Sequence, residues 1–260
     1  MSEMQRVVDE FSANGLLAAI RWAHLSAART SLANHLPREG YTTNRTRGTS
    51  LYELTVERMD RVAQCGAFQP DPSTPEDGRD LLHDGIDPDL PLGDVLLPPG
   101  HVIRDDIRGS EGWRFGEWRW LRASFKFGEV SKIRWRGLTK QQVAAQDCVD
   151  YPALFPIDEN EKLHALFGVD LSQTLVVAQA LDSTTQDSQL YIGRPRLNTD
   201  SDSSWYWLYD LLGAPPDAGR SGIDRTPTSP VPEAPREVAD APVRLRPAPT
   251  TPGKRSTDQG

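Results

Sequence analysis

Residues 113–137 read WRFGEWRWLRASFKFGEVSKIRWRG, and this segment gives the clearest indication of the fold. It holds four of the seven tryptophans, and aromatic and basic residues alternate along it. Such alternation is typical of a strand, because successive side chains point to opposite faces of a sheet. Gly116 and Gly128 interrupt the pattern, as residues at turns or bulges do. We therefore predict strands here, with the tryptophans in the core and the arginines on the solvent face.

The chain before this segment has helical spacing. Apolar residues recur at helical intervals over residues 4–36, with Gly15 as a candidate break. A further helix is predicted over residues 51–65. Ser50 and Glu53 match a capping box at its start, and Gly66 suits the residue that closes a helix.

The chain after it predicts more strands. Residues 175–181, 189–192 and 205–209 are apolar or aromatic and are separated by polar loops, which is typical of an antiparallel β-meander. Residues 69–106 are rich in proline and acidic side chains and predict a long loop-rich arm. The expected class is therefore α+β, with N-terminal helices packed on a C-terminal antiparallel β-meander and a long acidic, loop-rich middle.

Proline content divides the chain. Ten of the 21 prolines lie beyond residue 212. Residues 1–212 are therefore predicted to form a single compact α+β domain, and residues 213–260 a disordered proline-rich tail.

The overall composition narrows the possible locations and partners. The net charge of −8 argues against a dedicated nucleic-acid coat protein, since such domains are usually strongly basic. No signal peptide and no run of 18 apolar residues is visible, so we expect a cytoplasmic protein with no membrane partner. Arginine greatly outnumbers lysine, which predicts GC-rich coding and a bacterial source. Cys65 and Cys148 do not suggest a disulfide scaffold.

The aromatic and basic segment is also a candidate binding surface. Arginines beside exposed aromatic rings can bind phosphates while bases stack on the rings, as in single-strand binders. The alternative is that the tryptophans are core residues and the charges form an ordinary solvated face. The polyanion-binding candidates are Arg114, Trp118, Arg119, Arg122, Lys126, Arg134 and Arg136.

Acidic residues beside the same segment raise a nuclease hypothesis. Metal-dependent phosphodiester cleavage uses carboxylates to hold Mg²⁺ and often a cation at the scissile phosphate. Residues 105–119 loosely resemble the restriction-endonuclease core, in which an acid precedes a strand bearing an acid and a lysine two positions apart. Arg119 stands where that pattern has lysine, and Lys132 is one position out of place after Glu129. The candidate catalytic residues are Asp105, Asp106, Glu117, Glu129 and Lys132.

Two other patterns concern anion and metal sites. Residues 44–47 read NRTR and, with Arg58 and Arg61, could form a basic corner for an anion. Ordinary ion pairs of those arginines with nearby acids are the alternative. No histidine or cysteine spacing predicts a metal site, and no cofactor is identified, with Mg²⁺ expected only under the nuclease hypothesis.

These observations favour a non-enzymatic accessory or interaction protein whose partner is another protein. The first alternative is a metal-dependent nuclease or related hydrolase. The second is a nucleic-acid-binding module that uses residues 113–136.

Overall fold

The computed structural model describes residues 1–34, 43–70, 90–148, 150, 170–182, 184–197 and 203–213. They belong to one compact unit, Met1–Asp217. Apart from Gly213, the predicted tail lies outside the described residues, as do residues 71–89 of the acidic middle.

Within the described ranges, three α-helices precede the sheet in the chain. The Ser2 hydroxyl caps the first by accepting from the Gln5 backbone N–H at 3.2 Å. Gly15, at φ +74°, separates the first helix from the second, which confirms the predicted break.

No helix in the described ranges is both long enough and apolar enough to cross a membrane. The helices are α1 (Glu3–Ala13), α2 (Leu16–Ala33), α3 (Asn44–Val62) and the short α4 (Leu138–Ala144).

The predicted start of α3 is wrong. The helix begins at Asn44 rather than at residue 51, and its N-cap is Thr43, whose side chain accepts from the Thr46 backbone N–H at 3.2 Å. Ser50 and Glu53 therefore lie inside the helix. A Thr-x-x-Thr arrangement satisfies an orphan N–H as well as the expected capping box does.

One mixed sheet follows the helices, with its six strands in chain order. Neighbouring strands are antiparallel except β3 and β4, which are parallel, with Arg119 opposite Thr174 and Ser124 opposite Gln179. The α+β class is confirmed, but the sheet is not wholly antiparallel: two three-stranded meanders meet at a parallel seam. The strands are β1 (Ile103–Arg104), β2 (Gly112–Phe115), β3 (Trp118–Ser124), β4 (Thr174–Leu181), β5 (Ser188–Pro195) and β6 (Trp205–Asp210).

Both faces of the sheet are covered. On one face Trp113, Trp120 and Val177 pack in a core with apolar residues of α1, α2 and α3. On the other face Leu121 and Val176 pack with Ile133, Trp135 and Val143 from the segment between β3 and β4. A strand covered on both sides has no solvent face, so the expected position of the strand arginines is only partly correct.

The central tryptophans are core residues, as predicted. Trp118 and Trp120 are 0% and 1% exposed, and the Trp118 Nε1–H donates to Glu10 Oε2 at 2.9 Å. Arg122 is 3% exposed because it lies on the same face of β3 as these two tryptophans. Residues of the same parity along a strand share a face, so the helices that cover the tryptophans also cover Arg122.

Candidate functional site

A groove of about 630 Å³ lies where the first turns of α3 approach the ends of β3 and β4. Three arginines line it, and we call it the arginine groove after Arg45, Arg47 and Arg136. The first two come from α3, and the third comes from the loop before α4. The other lining residues are Gly48, Thr49, Leu51, Tyr52, Ser124, Phe125, Gln179, Ala180 and Leu181.

Among the residues that the structure describes, the lining of this groove is positively charged and contains no carboxylate. Arg45 and Arg136 are exposed, and none of the three arginines forms an ion pair with a described carboxylate. Arg47 is 8% exposed, and its Nη1 is buried with no hydrogen-bond partner among the described residues. The groove also lies at the N-terminal end of a 19-residue helix, where the helix dipole is positive. Each of these features favours an anion.

The arginines at positions 58 and 61 are bound by an acid. Arg58 and Arg61 both pair with Glu57. The proposed corner of residues 44–47 with Arg58 and Arg61 is therefore not formed as expected. The two NRTR arginines instead share the groove with Arg136, from a distant part of the chain.

A buried polar chain supports the floor of the groove. Gln179, 1% exposed, has its Oε1 at 3.2 Å from His24 Nδ1, while the other ring nitrogen of His24 contacts the Ser188 hydroxyl. An amide oxygen only accepts, so Nδ1 carries the proton and Nε2 accepts from Ser188. Burial lowers the pKa of His24 to about 4; the Gln179 hydrogen bond opposes this shift and the Arg122 charge adds to it. His24 is thus neutral at neutral pH. Because the Oε1 is held in this way, the amide nitrogen of Gln179 is left without a partner.

The candidate nuclease carboxylates at positions 105 and 106 are bound by arginines. Asp105 Oδ2 accepts from Arg119 at 2.9 and 2.7 Å and lies 3.2 Å from Arg114 Nε. Asp106 Oδ1 accepts from Arg104 at 2.5 Å and from a backbone N–H at 3.0 Å. These bonds tie β1 and its flanking loop to β2 and β3, so both acids have clear structural roles.

The other three candidates of that hypothesis are exposed on the surface. Glu117 is exposed in the turn between β2 and β3, and Lys132 is exposed in a short 3₁₀ turn. Glu129 pairs with Lys126, and that hydrogen bond lowers the pKa of the carboxyl. Nowhere in the described ranges do three or more His, Cys, Asp or Glu side chains form a group that could hold a metal ion.

The polyanion candidates are also dispersed. Trp118 is in the core, Arg119 is bound to Asp105, and Lys126 pairs with Glu129. Arg114 contacts Asp105, and Arg134 is exposed outside the groove. Of this set, Arg136 lines the arginine groove, while Arg122 lies beneath it in the core.

Comparison with known proteins gives no relative: no family model, no curated protein and no solved structure matches the chain.

Proposed function

We propose that this chain is a binding protein and that the arginine groove takes a small phosphate-bearing ligand. The observation that carries the proposal is the convergence in one groove of three arginines that pair with none of the described carboxylates, in a chain whose net charge is −8. In a protein of net negative charge, a cluster of arginines that pair with no described carboxylate favours the binding of an anion.

Phosphate suits this groove because the guanidinium group offers donors in a planar fork that matches phosphate oxygens. Thr49 and Ser124 add hydroxyl groups to the lining. Tyr52 and Phe125 add aromatic rings, which an organic part of the ligand could contact. The volume of about 630 Å³ lies within the range of small-molecule sites.

The proposal is one of binding rather than catalysis. Its described lining offers cations, hydroxyls and an amide, but no histidine, cysteine or carboxylate to serve as a general base or nucleophile. The proposed binding site is therefore the groove, which includes Arg136 of the aromatic and basic segment.

Isothermal titration of the full chain with inorganic phosphate, adenosine monophosphate and a short single-stranded oligonucleotide tests the proposal. Adenosine monophosphate should bind more tightly than inorganic phosphate, because it also contacts the rings. Arg45→Ala or Arg136→Ala should weaken binding about tenfold or more, the usual effect of losing one charge-assisted hydrogen bond. Arg134→Ala is the matched control, because Arg134 is also exposed but lies outside the lining.

The third probe separates the ligand classes. Binding of the oligonucleotide alone, weakening steeply with salt, would favour the nucleic-acid alternative, since such binding releases counterions. If none of the three probes binds, or if the arginine variants bind as well as the control, the groove is not a phosphate site.

A further inference from the structure

The two arginines that α3 contributes to the arginine groove come from different sides of the helix. Arg45 and Arg47 are two residues apart, so about 200° of helix rotation separates them, and side chains at this spacing do not face each other. Arg45 is exposed, whereas Arg47 is buried on the same side of α3 as Leu51, one turn later. Both nevertheless line the same groove. The groove therefore has an outer cation and an inner cation.

The outer position is shared by two arginines. Arg136, in the loop before α4, is exposed like Arg45, and both line the groove. Arg45, Thr49 and Tyr52 follow one another at intervals of four and three residues, so they share one face of α3. Arg45 and Tyr52 are about 10 Å apart along the helix axis. This face carries a cation at one end and an aromatic ring at the other, which suits the phosphate and the base of a nucleotide.

Arg47 marks the inner position. It is 8% exposed, and among the described residues no carboxylate forms an ion pair with it. A buried cation without a countercharge is costly, and an anion that approaches it recovers part of that cost. Because Arg47 is part of the lining, such an anion can approach it from the groove.

The three arginines also exceed the charge of a single phosphate. A phosphate monoester carries about two negative charges at neutral pH. Three cations line the groove, and the positive end of the α3 dipole lies beside them. A diphosphate ester carries about one negative charge more. It also holds its two phosphates next to each other, so that the first can contact the outer arginines while the second extends toward Arg47.

We propose, on the premise that the groove binds a phosphate-bearing ligand, that this ligand is a nucleoside diphosphate. Its first phosphate lies at Arg45 and Arg136, and its second lies at Arg47. The base contacts Tyr52 and Phe125, the aromatic residues of the lining. The groove volume of about 630 Å³ is in the range of sites for ligands of this size.

Isothermal titration of the full chain, in buffer without divalent cations, tests this with three ligands: adenosine monophosphate, adenosine diphosphate and adenosine 3′,5′-bisphosphate. The diphosphate should bind about tenfold or more tightly than the monophosphate, the gain expected from one additional charge-assisted contact. The bisphosphate carries its two phosphates at separate positions of the ribose and has at least as much charge, so it controls for charge alone. It should bind more weakly than the diphosphate.

A variant of the inner arginine locates the second phosphate. Arg47→Met should reduce the ratio of diphosphate affinity to monophosphate affinity toward one. Arg134→Ala, which is outside the lining, should keep the wild-type ratio. If Arg47→Met does not fold, the comparison of the diphosphate with the bisphosphate on the wild type still decides.

The outcomes separate the diphosphate assignment from the function on which it rests. Binding of the monophosphate with no gain for the diphosphate would overturn the diphosphate assignment alone. So would a bisphosphate that binds as tightly as the diphosphate, or a folded Arg47→Met protein that keeps the wild-type ratio. Failure of all three nucleotides to bind would overturn it as well, and if inorganic phosphate also failed to bind, the proposed function would be wrong too.

Discussion

Glu3, in the first turn of α1, and Arg194, near the end of β5, form an ion pair in the core. The Arg194 Nε donates to Glu3 Oε1 at 2.7 Å, and both side chains are 1% exposed. Arg194 also donates to the Ser172 and Thr174 carbonyls, and Glu3 Oε1 also accepts from Trp207 at 3.1 Å. The pair therefore ties the first helix to three separate parts of the sheet region.

Breaking this pair should be strongly destabilising. Arg194→Met leaves the Glu3 carboxylate buried without its cation, and the loss should be about 3–5 kcal/mol of unfolding free energy. Denaturant unfolding measures it. The double variant Glu3→Leu with Arg194→Met should recover much of the loss, since no charge then remains in the core. A double variant as unstable as the single one would show that packing, rather than the unpaired charge, sets the cost.

The revised start of α3 gives a second prediction. Thr43→Ala removes the capping acceptor of the Thr46 N–H and should cost about 1 kcal/mol. Ser50→Ala should change stability by less than about 0.5 kcal/mol, because Ser50 lies inside the helix, where alanine is favourable. Denaturant unfolding of the two variants compares them directly. A larger loss of stability for Ser50→Ala than for Thr43→Ala would instead show that the helix begins at Ser50.

Because His24 is neutral in the folded protein, we expect the free energy of unfolding to fall as the pH becomes acidic. Its folded-state pKa of about 4 lies below the ordinary value of 6.5, so the unfolded chain binds the extra proton first as the pH falls. Stability should therefore decrease from about pH 6.5 downward and reach its full loss, on the order of 3 kcal/mol, below pH 4.

The variant His24→Gln isolates this contribution from that of the carboxylates. Unfolding free energies of the two proteins at pH 7 and pH 4.5 give the comparison. The wild type should lose more stability over that interval than the variant does. Equal losses would mean that His24 is accessible to protons in the folded state.

Both cysteines should be unreactive in the folded protein. Cys65 and Cys148 are buried free thiols. Burial, followed by the charge of Asp60, raises the pKa of Cys65 to about 12, and burial raises that of Cys148 to about 11. The thiolate is the reactive form, so Ellman's reagent should label neither residue natively at pH 8 and both in denaturant. Rapid labelling of one thiol in the native protein would place it in a segment that opens locally.

Gly193 should not tolerate a side chain. An added Cβ would lie 2.4 Å from the Trp207 carbonyl oxygen on the neighbouring strand, too close for strands to remain paired without movement. Gly193→Ala should therefore lower the Tm clearly. Gly48→Ala is the contrasting variant. It has no neighbouring atom within 4 Å of the added Cβ and lies in a helix, so it should raise stability by up to about 1 kcal/mol.

Sequence periodicity predicted the local structure better than the long-range structure. The break at Gly15 and the burial of Trp118 and Trp120 follow from patterns that can be read along the chain. The burial of Arg122 can also be predicted from the sequence. Arg122 lies two residues after Trp120 along β3, so it shares a face of the sheet with both tryptophans. The expectation that this side chain faces solvent rests on the general preference of arginine for the surface.

The arginine groove cannot be predicted from periodicity along the sequence. Arg45 and Arg136 are far apart in the chain and meet because of the parallel pairing of β3 with β4 and the packing of α3 beside them. Nothing in local spacing encodes that pairing. The sequence marks the acids at positions 105 and 106 as candidate metal ligands. Their pairing with Arg119 and Arg104 cannot be predicted from the sequence, because it requires the tertiary structure.

The parallel seam between β3 and β4 also has a consequence for the order of folding. Each meander can form from contacts that are close in sequence, but the seam requires residues 125–173 to close as one long connection. Loop closure of that length costs entropy before any seam contact is gained, so joining the two halves is expected to be the slow kinetic step. Until then, β3 and β4 would each present an unpaired edge. A nascent chain paused at this stage would be most exposed to aggregation at these two edges.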